Sequence, residues 1–203
     1  MYNLPATTSI NKPLAKKAVF EKFNLRNSEQ ERFDADISRM VLVARISSST
    51  VPALAEGSGV KVFYVLQVML KRKEYNVQNL ILLHKLIKQQ IVFALQYENQ
   101  TQLCIYHTRL LSSGWNPSVE TTIPLKGLSI DDAWQNIVAH IGKLNTDAAD
   151  SIEQQIINRE QREKTLRQID ILEKRCRAEK QTRTKYELHQ QILDLKKELD
   201  EMI

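Results

Sequence analysis

The sequence predicts an α+β protein: a small mixed, mostly antiparallel sheet with packed helices, followed by a long C-terminal coiled-coil-like helix or helical hairpin. Two observations predict this. Residues 143–203 contain no glycine, no proline and a single aromatic residue, Tyr186, whereas all five glycines and all five prolines lie before them. The earlier part alternates between strand-like and helix-like apolar spacing. We therefore expect an α+β domain at residues 1–145 and a helical tail at residues 146–203.

Two helices are predicted near the start of the first domain. Because proline pushes the residue before it to extended geometry, Pro13 disfavours helix before residue 14, and a short helix is expected directly afterwards. The spacing Ser28-x-x-Glu31 then predicts a capping box, in which side chains satisfy free backbone donors. Phe33 and Ile37 give this second helix one apolar stripe.

Strand-like patterns dominate the middle of the chain. The clearest is residues 60–71, where every even position from Val62 to Leu70 is apolar, as expected of a strand with one face in the core. Residues 47–59, rich in Ser, Gly and Pro, indicate a loop. The other predicted strands are residues 40–46, a hairpin formed by residues 91–97 and 101–110, and an edge strand at residues 119–123.

Two further helices are predicted to pack on this sheet. Asn76 is expected to cap a helix that runs to about residue 90 and is apolar on most of its circumference. Ser129-x-x-Asp132 predicts a capping box at the start of a last domain helix, which carries Trp134 and Ile137 on its apolar face.

The tail has the apolar spacing of a coiled coil. Its clearest part is a seam in which apolar residues step by four and three, formed by Leu188, Ile192, Leu195, Leu199 and Met202. A basic stretch, residues 174–185, interrupts the register. Two structures fit this interruption: one continuous helix about 80 Å long at about 1.5 Å per residue, or a hairpin that folds back through the polar stretch.

The absence of glycine and proline favours the continuous form of the tail. A helix with one narrow apolar stripe cannot bury that stripe alone, so either form requires a partner surface. The simplest such partner is a second copy of the chain in a two-stranded homodimer.

Composition argues against several classes of protein. The net charge is +5, with 17 Lys and Arg against 13 Asp and Glu in residues 1–150 and 12 against 11 in residues 151–203, so neither part is strongly basic. No apolar run reaches the roughly 18–20 residues that span a bilayer, and residues 1–20 lack a signal-peptide pattern, so we expect a cytoplasmic protein. Cys104 and Cys176 have no paired spacing, so neither a disulfide framework nor a zinc site is indicated.

No spacing of reactive residues indicates a reaction. Cys104 and His107 lie three apart in a predicted strand and therefore point to opposite faces. A metal-dependent nuclease of the restriction type needs an acidic residue two positions before a lysine on a core strand, but the best-placed strand has Gln67-Val68-Met69. Neither a Gly-x-Ser-x-Gly elbow nor a glycine-rich phosphate loop occurs. We predict no catalytic residue, no cofactor and no metal ligand.

Basic residues remain as candidates for contacts with phosphate or with a protein partner. The candidates are Lys12, Lys16, Lys17, Lys71, Arg72, Lys73, Arg175 and Arg177. They indicate either a nucleic-acid interface or a solvated charged face.

A series of short motifs resembles a known family across nearly the whole chain. The motifs are Leu4-Pro5-x-x-Thr8, Asn11-Lys12, Phe20-x-x-Phe23-x-Leu25, Leu70-Lys71, Ile91-Val92-Phe93 and, in the tail, Glu179-Lys180-Gln181 followed by Lys185-x-Glu187-Leu188. They resemble an uncharacterised bacterial family, the domain of unknown function numbered four-three-nine-one. The resemblance implies an accessory protein, often encoded beside helicases and DNA methyltransferases of restriction or phage-defence loci, with no established activity.

The resemblance also points to a polar cluster on the tail with a structural or partner-binding role. It implies that the cluster consists of Glu179, Lys180, Gln181, Lys185 and Glu187. This chain has Thr182 and His189 where the family pattern has an aromatic residue and an asparagine, so no role is carried over to those two positions.

The leading hypothesis is a non-catalytic accessory subunit of a bacterial restriction or phage-defence helicase or methyltransferase system. It would dock by its α+β domain and associate through its tail, either with a second copy of itself or with a helicase or methyltransferase subunit. The alternatives are a divergent nuclease or nucleic-acid-processing subunit, and a nucleic-acid-binding module that uses the basic residues.

Overall fold

The computed structural model describes residues 1–145 and 151–201 of the chain. The chain divides into two compact units, Met1–Asn145 and Thr146–Ile203. The seam residue Met202 lies outside the described residues.

The first unit combines helices and strands throughout residues 1–145. Its helices are α1 (Lys16–Phe23), α2 (Asn27–Asp36), α3 (Val77–Ile87) and α4 (Ile130–Gly142). Its strands are β1 (Ser9–Pro13), β2 (Ile37–Ser47), β3 (Val62–Leu70), β4 (Gln90–Tyr97), β5 (Gln100–Tyr106), β6 (Leu110–Ser112) and β7 (Asn116–Pro117). A short 3₁₀ helix, Ala6–Thr8, precedes β1.

These strands form a single mixed sheet within residues 1–145. The order is β1-β2-β3-β4-β5-β6, and β7 pairs with β5 beside β6. Only β3 and β4 pair in parallel, with α3 as the connection between them, and the other pairs are antiparallel. The predicted α+β class with a mixed, mostly antiparallel sheet is confirmed.

Both faces of the sheet are covered, which explains why β3 reads as an almost continuous apolar run. Leu66 and Val68 belong to a core cluster shared with residues of α1, α2 and α3. On the opposite face Phe63 packs against Trp134 of α4, with ring centroids 5.4 Å apart. Side chains of this size contribute roughly 1.5–3 kcal/mol each when fully buried, so the sheet has a core on each side.

Several predicted boundaries are wrong, for local reasons. The second helix starts one residue before Ser28, because Glu29 rather than Glu31 accepts the backbone N–H of Arg26, at 2.8 Å. This helix ends at Asp36, so Ile37 begins β2 and is not part of the helical stripe.

Other predicted elements are shorter than expected. The helix capped by Asn76 ends at Ile87, because Lys88 adopts a left-handed backbone with φ of 55°. The second strand of the predicted hairpin ends at Tyr106, and the chain reverses before β6. The predicted edge strand at residues 119–123 is wrong: these residues form no strand, and the chain pairs with β5 earlier, through β7.

The outer strand β1 is irregular and fully exposed. Its register with β2 shifts between Ser9 and Lys12, where Asn11 has a φ of 46°. Pro13 also lacks a backbone donor. An irregular edge strand with lysine and proline is poorly suited to pairing with another strand.

The loop before β3 is fixed by one carboxylate at the start of α4. Asp131 accepts hydrogen bonds from the backbone N–H groups of Ser58, Gly59 and Val60 and from the Ser58 hydroxyl. These backbone donors hold the pKa of Asp131 below its usual value, and the N–H of Val60 has the largest effect. Gly57 is required beside this contact, because a Cβ there would meet the Val60 carbonyl oxygen.

The second unit is a helical hairpin in its described part. It consists of α5 (Ile152–Ala178) and α6 (Thr182–Glu201). Lys196 of α6 donates to Glu173 of α5 at 2.9 Å, and the Cys176 thiol lies 3.6 Å from the carbonyl oxygen of Lys185. The tail therefore turns back on itself, which decides between the two predicted forms against the continuous helix.

The Asp131 contacts predict a pH-dependent loss of stability in the Asp131→Asn variant. A depressed folded pKa contributes stability that is present above the unfolded value of about 4 and is lost as the pH falls through the folded pKa. We expect Asp131→Asn to lower the melting temperature at pH 7. The difference in melting temperature between this variant and the wild type, the gap, is expected to narrow as the pH falls from about 4 towards 2. Thermal unfolding followed by circular dichroism measures this gap.

The exposed Asp194→Asn substitution is the matched control for Asp131→Asn. It removes the same charge from an exposed position of α6, which belongs to the second unit. A gap for Asp131→Asn that stays constant with pH, or equals that of the control, contradicts the role assigned to the carboxylate.

Candidate functional site

Three of the predicted basic residues lie together where β3 ends. Lys71, Arg72 and Lys73 follow β3 directly and are exposed. Since β3 and β4 are parallel, this edge of the sheet also contains the end of β4 and the start of α3. The carboxyl edge of parallel strands is a common place for ligands in α/β sheets.

The conformation of this edge depends on the buried carboxylate of Asp36, which is 1% exposed. One of its oxygens accepts from Arg72 Nε at 2.7 Å and also from the Arg72 guanidinium terminus. The other accepts from the Asn76 backbone N–H at 2.8 Å and from Asn79 Nδ2 at 2.9 Å. Arg72 is therefore committed to an internal ion pair, although its side chain is 61% exposed.

Lys73 lies over the ring of Trp115, a contact that the sequence analysis did not predict. Its ammonium nitrogen is 5.4 Å from the centroid of the Trp115 ring and donates to Gln100 Oε1 at 2.8 Å. Trp115 is partly buried against the core, so it presents one face to this charge. Lys71 and Lys73 are the cations of this edge that a ligand can reach without breaking the Asp36 pair.

The other predicted phosphate contacts of the first unit lie on β1 and α1. Lys16 pairs with Asp34 at 2.6 Å, and Lys17 pairs with Glu21 at 3.5 Å along α1. Lys12 lies on the exposed strand β1. Arg175 and Arg177 belong to α5 in the second unit. These residues are grouped by charge alone in the sequence analysis. In the structure Lys16 and Lys17 each have a carboxylate partner.

The polar cluster of the tail forms the turn of the hairpin. Glu179 Oε1 accepts from the backbone N–H groups of Lys180 and Gln181, both at 2.8 Å, so it supplies acceptors at the start of α6. Gln181 contributes its backbone carbonyl to the N–H of Lys185. Glu187 accepts from Arg183 at 3.2 Å along the helix. Of the predicted cluster, Glu179 therefore has side-chain contacts at the turn, whereas the side chain of Glu187 makes its contact along α6.

The apolar seam of α6 is covered by α5 within the same chain. Ile192 is 5% exposed, and Leu188, Leu195 and Leu199 are half-buried. Ile169 of α5 is 6% exposed. Other apolar side chains of the hairpin remain 39–64% exposed, namely Ile157, Leu166, Ile171, Tyr186 and Leu193.

A groove of about 260 Å³ lies between α5 and α6 near the turn, and we name it the hairpin groove. Cys176 and Ile192 form its floor, and Leu193 forms one wall. Basic side chains surround this apolar surface, among them Lys185 and Lys196. Sequence reasoning missed the groove because it exists only once the two helices fold together.

A polar cavity of about 430 Å³ lies on the α4 side of the sheet and was also missed. Its lining includes Tyr2, Gln96 and Thr101. Burial raises the pKa of the Tyr2 hydroxyl to about 12, although a hydrogen bond with Gln67 opposes this shift. Tyr2 and Asn3 both have a positive φ, 53° and 55°, which is unusual for residues other than glycine.

The buried thiol of Cys104 is not suited to nucleophilic chemistry. Burial raises its pKa to about 12, and a contact with the Tyr75 hydroxyl at 3.7 Å only partly opposes this. The thiolate is the reactive form of cysteine, so Cys104 is inert in the folded protein. His84 packs on the ring of Tyr106, with centroids 5.0 Å apart, and burial lowers its pKa.

The comparison with known families gives one result. Residues 2–199 match the family described as a domain of unknown function, DUF4391. The chain belongs to the DUF4391 family. The resemblance read from the short motifs is thereby confirmed. No curated protein and no solved structure matches the chain.

Two features are absent from residues 1–145 and 151–201 of this DUF4391 chain. No three His, Cys, Asp or Glu side chains in this part of the chain are grouped so that they could hold a metal ion. No helix in the same described part is both long enough and apolar enough to cross a bilayer.

The Asp36 network predicts a large cost for the Asp36→Ala variant. Removing the carboxylate leaves the Asn76 N–H and the Asn79 amide without their acceptor, so we expect unfolding to become easier by about 2–4 kcal/mol. Urea unfolding followed by fluorescence measures this free energy.

Asp34→Ala is the control for Asp36→Ala, because Asp34 also pairs with a cation but is 46% exposed. Its expected cost is about 0–1 kcal/mol, as is usual for a surface ion pair. Equal costs for the two variants would mean that Asp36 does not organise this edge.

Proposed function

We propose that this chain is a non-catalytic interaction subunit that docks on a larger enzyme through its α+β domain and associates through the hairpin of α5 and α6. The observation that carries the proposal is the apolar surface left exposed on the hairpin. Ile171 is 52% exposed and Tyr186 is 64% exposed, on helices that are otherwise strongly charged. Helices in proteins gain most of their stability from packing an apolar face against other elements. The two helices of the hairpin pack on each other, which leaves part of their apolar surface exposed.

The contacts within the hairpin support the same conclusion. The buried apolar side chains of the hairpin include three isoleucines, Ile156 and Ile169 of α5 and Ile192 of α6, and Glu173 forms an ion pair with Lys196. An exposed ion pair of this kind contributes about 0–1 kcal/mol. A protein partner that covers the remaining apolar side chains would stabilise the hairpin by burying them.

The setting that we propose is a bacterial restriction or phage-defence system, with a helicase or a methyltransferase as the partner. Its support is the resemblance to a family often encoded beside such enzymes. A second copy of the chain is the alternative partner. Because α5 already covers the α6 seam, a homodimer would have to use the outer faces of the hairpin.

Nucleic-acid binding is a second candidate function, and one observation favours it. Lys73 lies over Trp115 beside the exposed Lys71, which places two cations and an aromatic ring at one edge of the sheet. Cations bind phosphates, and aromatic rings stack on bases.

The interaction proposal predicts that charge on the outer faces of the hairpin disrupts association. In the double variant Ile171→Glu and Tyr186→Glu, we expect partner capture to fall at least about tenfold, because charges replace apolar contacts. Tagged full-length protein is used to capture partners from the native host, with mass spectrometry as the readout. Light scattering on the purified protein reports any homodimer.

The control for this double variant is Gln161→Glu with Gln191→Glu, which adds the same charge at exposed polar positions of α5 and α6. Wild-type behaviour of the control with loss in the test variant supports the proposal. Capture and mass that are unchanged in both variants would refute association through the hairpin.

The second candidate predicts a steep salt dependence of binding to a DNA oligonucleotide. Each lysine that contacts phosphate steepens the slope of log affinity against log salt by about one. We therefore expect Lys71→Gln with Lys73→Gln to reduce the slope by about two. Fluorescence anisotropy over a salt series measures it, and Lys22→Gln with Lys126→Gln, both exposed in the first unit, is the control. Identical slopes for the wild type and the Lys71 and Lys73 variant would exclude this edge as the phosphate site.

A further inference from the structure

The hairpin groove combines an apolar floor with a basic rim. Ile192 is 5% exposed, Cys176 is half-buried, and Leu193 is 39% exposed at the edge of the floor. Arg177 and Lys185 lie on opposite helices around this floor. A groove of this kind has the form that accepts an amphipathic helix, with its apolar side chains inserted as anchors.

The charged residues that line the groove are three cations, Arg177, Lys185 and Lys196, and one carboxylate, Glu173. Residues 174–187 contain six Lys and Arg against two Glu. Both acidic residues are engaged, since Glu179 accepts from two backbone N–H groups and Glu187 pairs with Arg183. Lys185 is exposed at the groove and adds to the positive potential there.

The carboxylate that lines the groove, Glu173, offsets only part of this charge. Glu173 pairs with Lys196 at 2.9 Å and lies 3.7 Å from Arg177. The Lys196 contact is the main reason why the pKa of Glu173 lies below its usual value. Glu173 therefore stays ionised and committed to these cations, so the rim as a whole favours an acidic ligand.

The floor of the groove favours a protein segment over a nucleic acid. The lining contains a single ring, the imidazole of His189, beside an aliphatic and thiol surface that leucine-like side chains fit well. Phosphates alone would leave the exposed part of Leu193 without apolar contacts.

A second copy of the chain is a poor occupant of the groove. The chain has one acidic segment with leucines at helical spacing among its described residues, the part of α6 that contains Asp194, Glu198 and Asp200. Its leucines, Leu195 and Leu199, are half-buried as part of the seam against α5. A second copy could offer this segment only by opening its own hairpin.

We infer that the hairpin groove binds an acidic amphipathic helix of a different protein. The apolar side chains of that helix pack on Cys176, Ile192 and Leu193, and its carboxylates pair with Arg177 and Lys185. This inference rests on the proposed function and specifies the chemistry of the partner segment.

The test uses the full-length protein and a synthetic probe. The probe is a fluorescein-labelled peptide of about four helical turns, with leucine at the i, i+3, i+4 and i+7 positions and glutamate at most others. A scrambled peptide of the same composition is the matched control. We expect the ordered peptide to raise the anisotropy, and the scrambled one to bind at least about tenfold more weakly because its leucines no longer share a face.

Alkylation of Cys176 by N-ethylmaleimide locates the bound peptide. Cys104 is fully buried, so the native protein reports Cys176 alone. Saturation with the ordered peptide is expected to slow alkylation several-fold. Binding should also weaken as salt rises, since opposite charges attract less when screened.

Two charge reversals on α6 test the contacts directly. Lys185 lines the groove and is changed in Lys185→Glu, whereas Lys197, changed in Lys197→Glu, is not part of the lining. We expect the first to lower peptide affinity at least about tenfold and the second to leave it unchanged. Circular dichroism verifies that both variants are folded, and Arg177→Glu serves as the second groove variant.

Several results would overturn the inference. They are equal binding of the two peptides, no binding of the ordered peptide, unchanged alkylation of Cys176 at saturation, or stronger protection of Cys176 by a DNA duplex. Failure here is separable from failure of the proposed function. If the Ile171 and Tyr186 variant loses its host partner while the ordered peptide does not bind, the groove inference falls and the interaction function stands.

Discussion

The buried carboxylate of Asp36 is the contact on which the organisation of the first unit depends most. It lies where α2 ends and β2 begins, and it accepts from Arg72 and Asn76 in the link between β3 and α3 and from Asn79 in α3 itself. A buried carboxylate is costly unless its oxygens are hydrogen-bonded. Asp36 therefore fixes the link that allows β4 to lie parallel to β3. It also decides which cations at this edge are free, because it engages Arg72 and leaves Lys71 and Lys73 exposed.

The sequence was sufficient for the class of the fold because local patterns determine it. The alternation in β3 and the Ser129 capping box depend on neighbouring residues, and both are present in the structure. The errors arise where tertiary contacts decide. Residues 119–123 have strand-like composition, yet Asn116 and Pro117 take the available position beside β5. The groove, the polar cavity and the stacking of Lys73 on Trp115 join residues distant in sequence, so no local pattern could have indicated them.

The tail shows how a polar side chain can take the place of glycine or proline in a helix reversal. The lack of both residues favoured a continuous helix, but Glu179 satisfies two backbone donors at the start of α6 and so makes the reversal favourable. The reversal also gives the seam an internal partner, which meets the requirement that the apolar stripe be buried. The apolar surface that stays exposed lies on the outside of the hairpin and in the groove between its helices, and the proposed association depends on these two surfaces.

The irregular strand β1 has a consequence for how this molecule can assemble. With a shifted register, a left-handed Asn11 and a proline at its end, β1 offers an incoming strand no regular ladder of donors and acceptors. At the other side of the sheet, β6 has only three residues. Cross-β growth into fibrils, or sheet extension by a partner's strand, is therefore disfavoured at both margins.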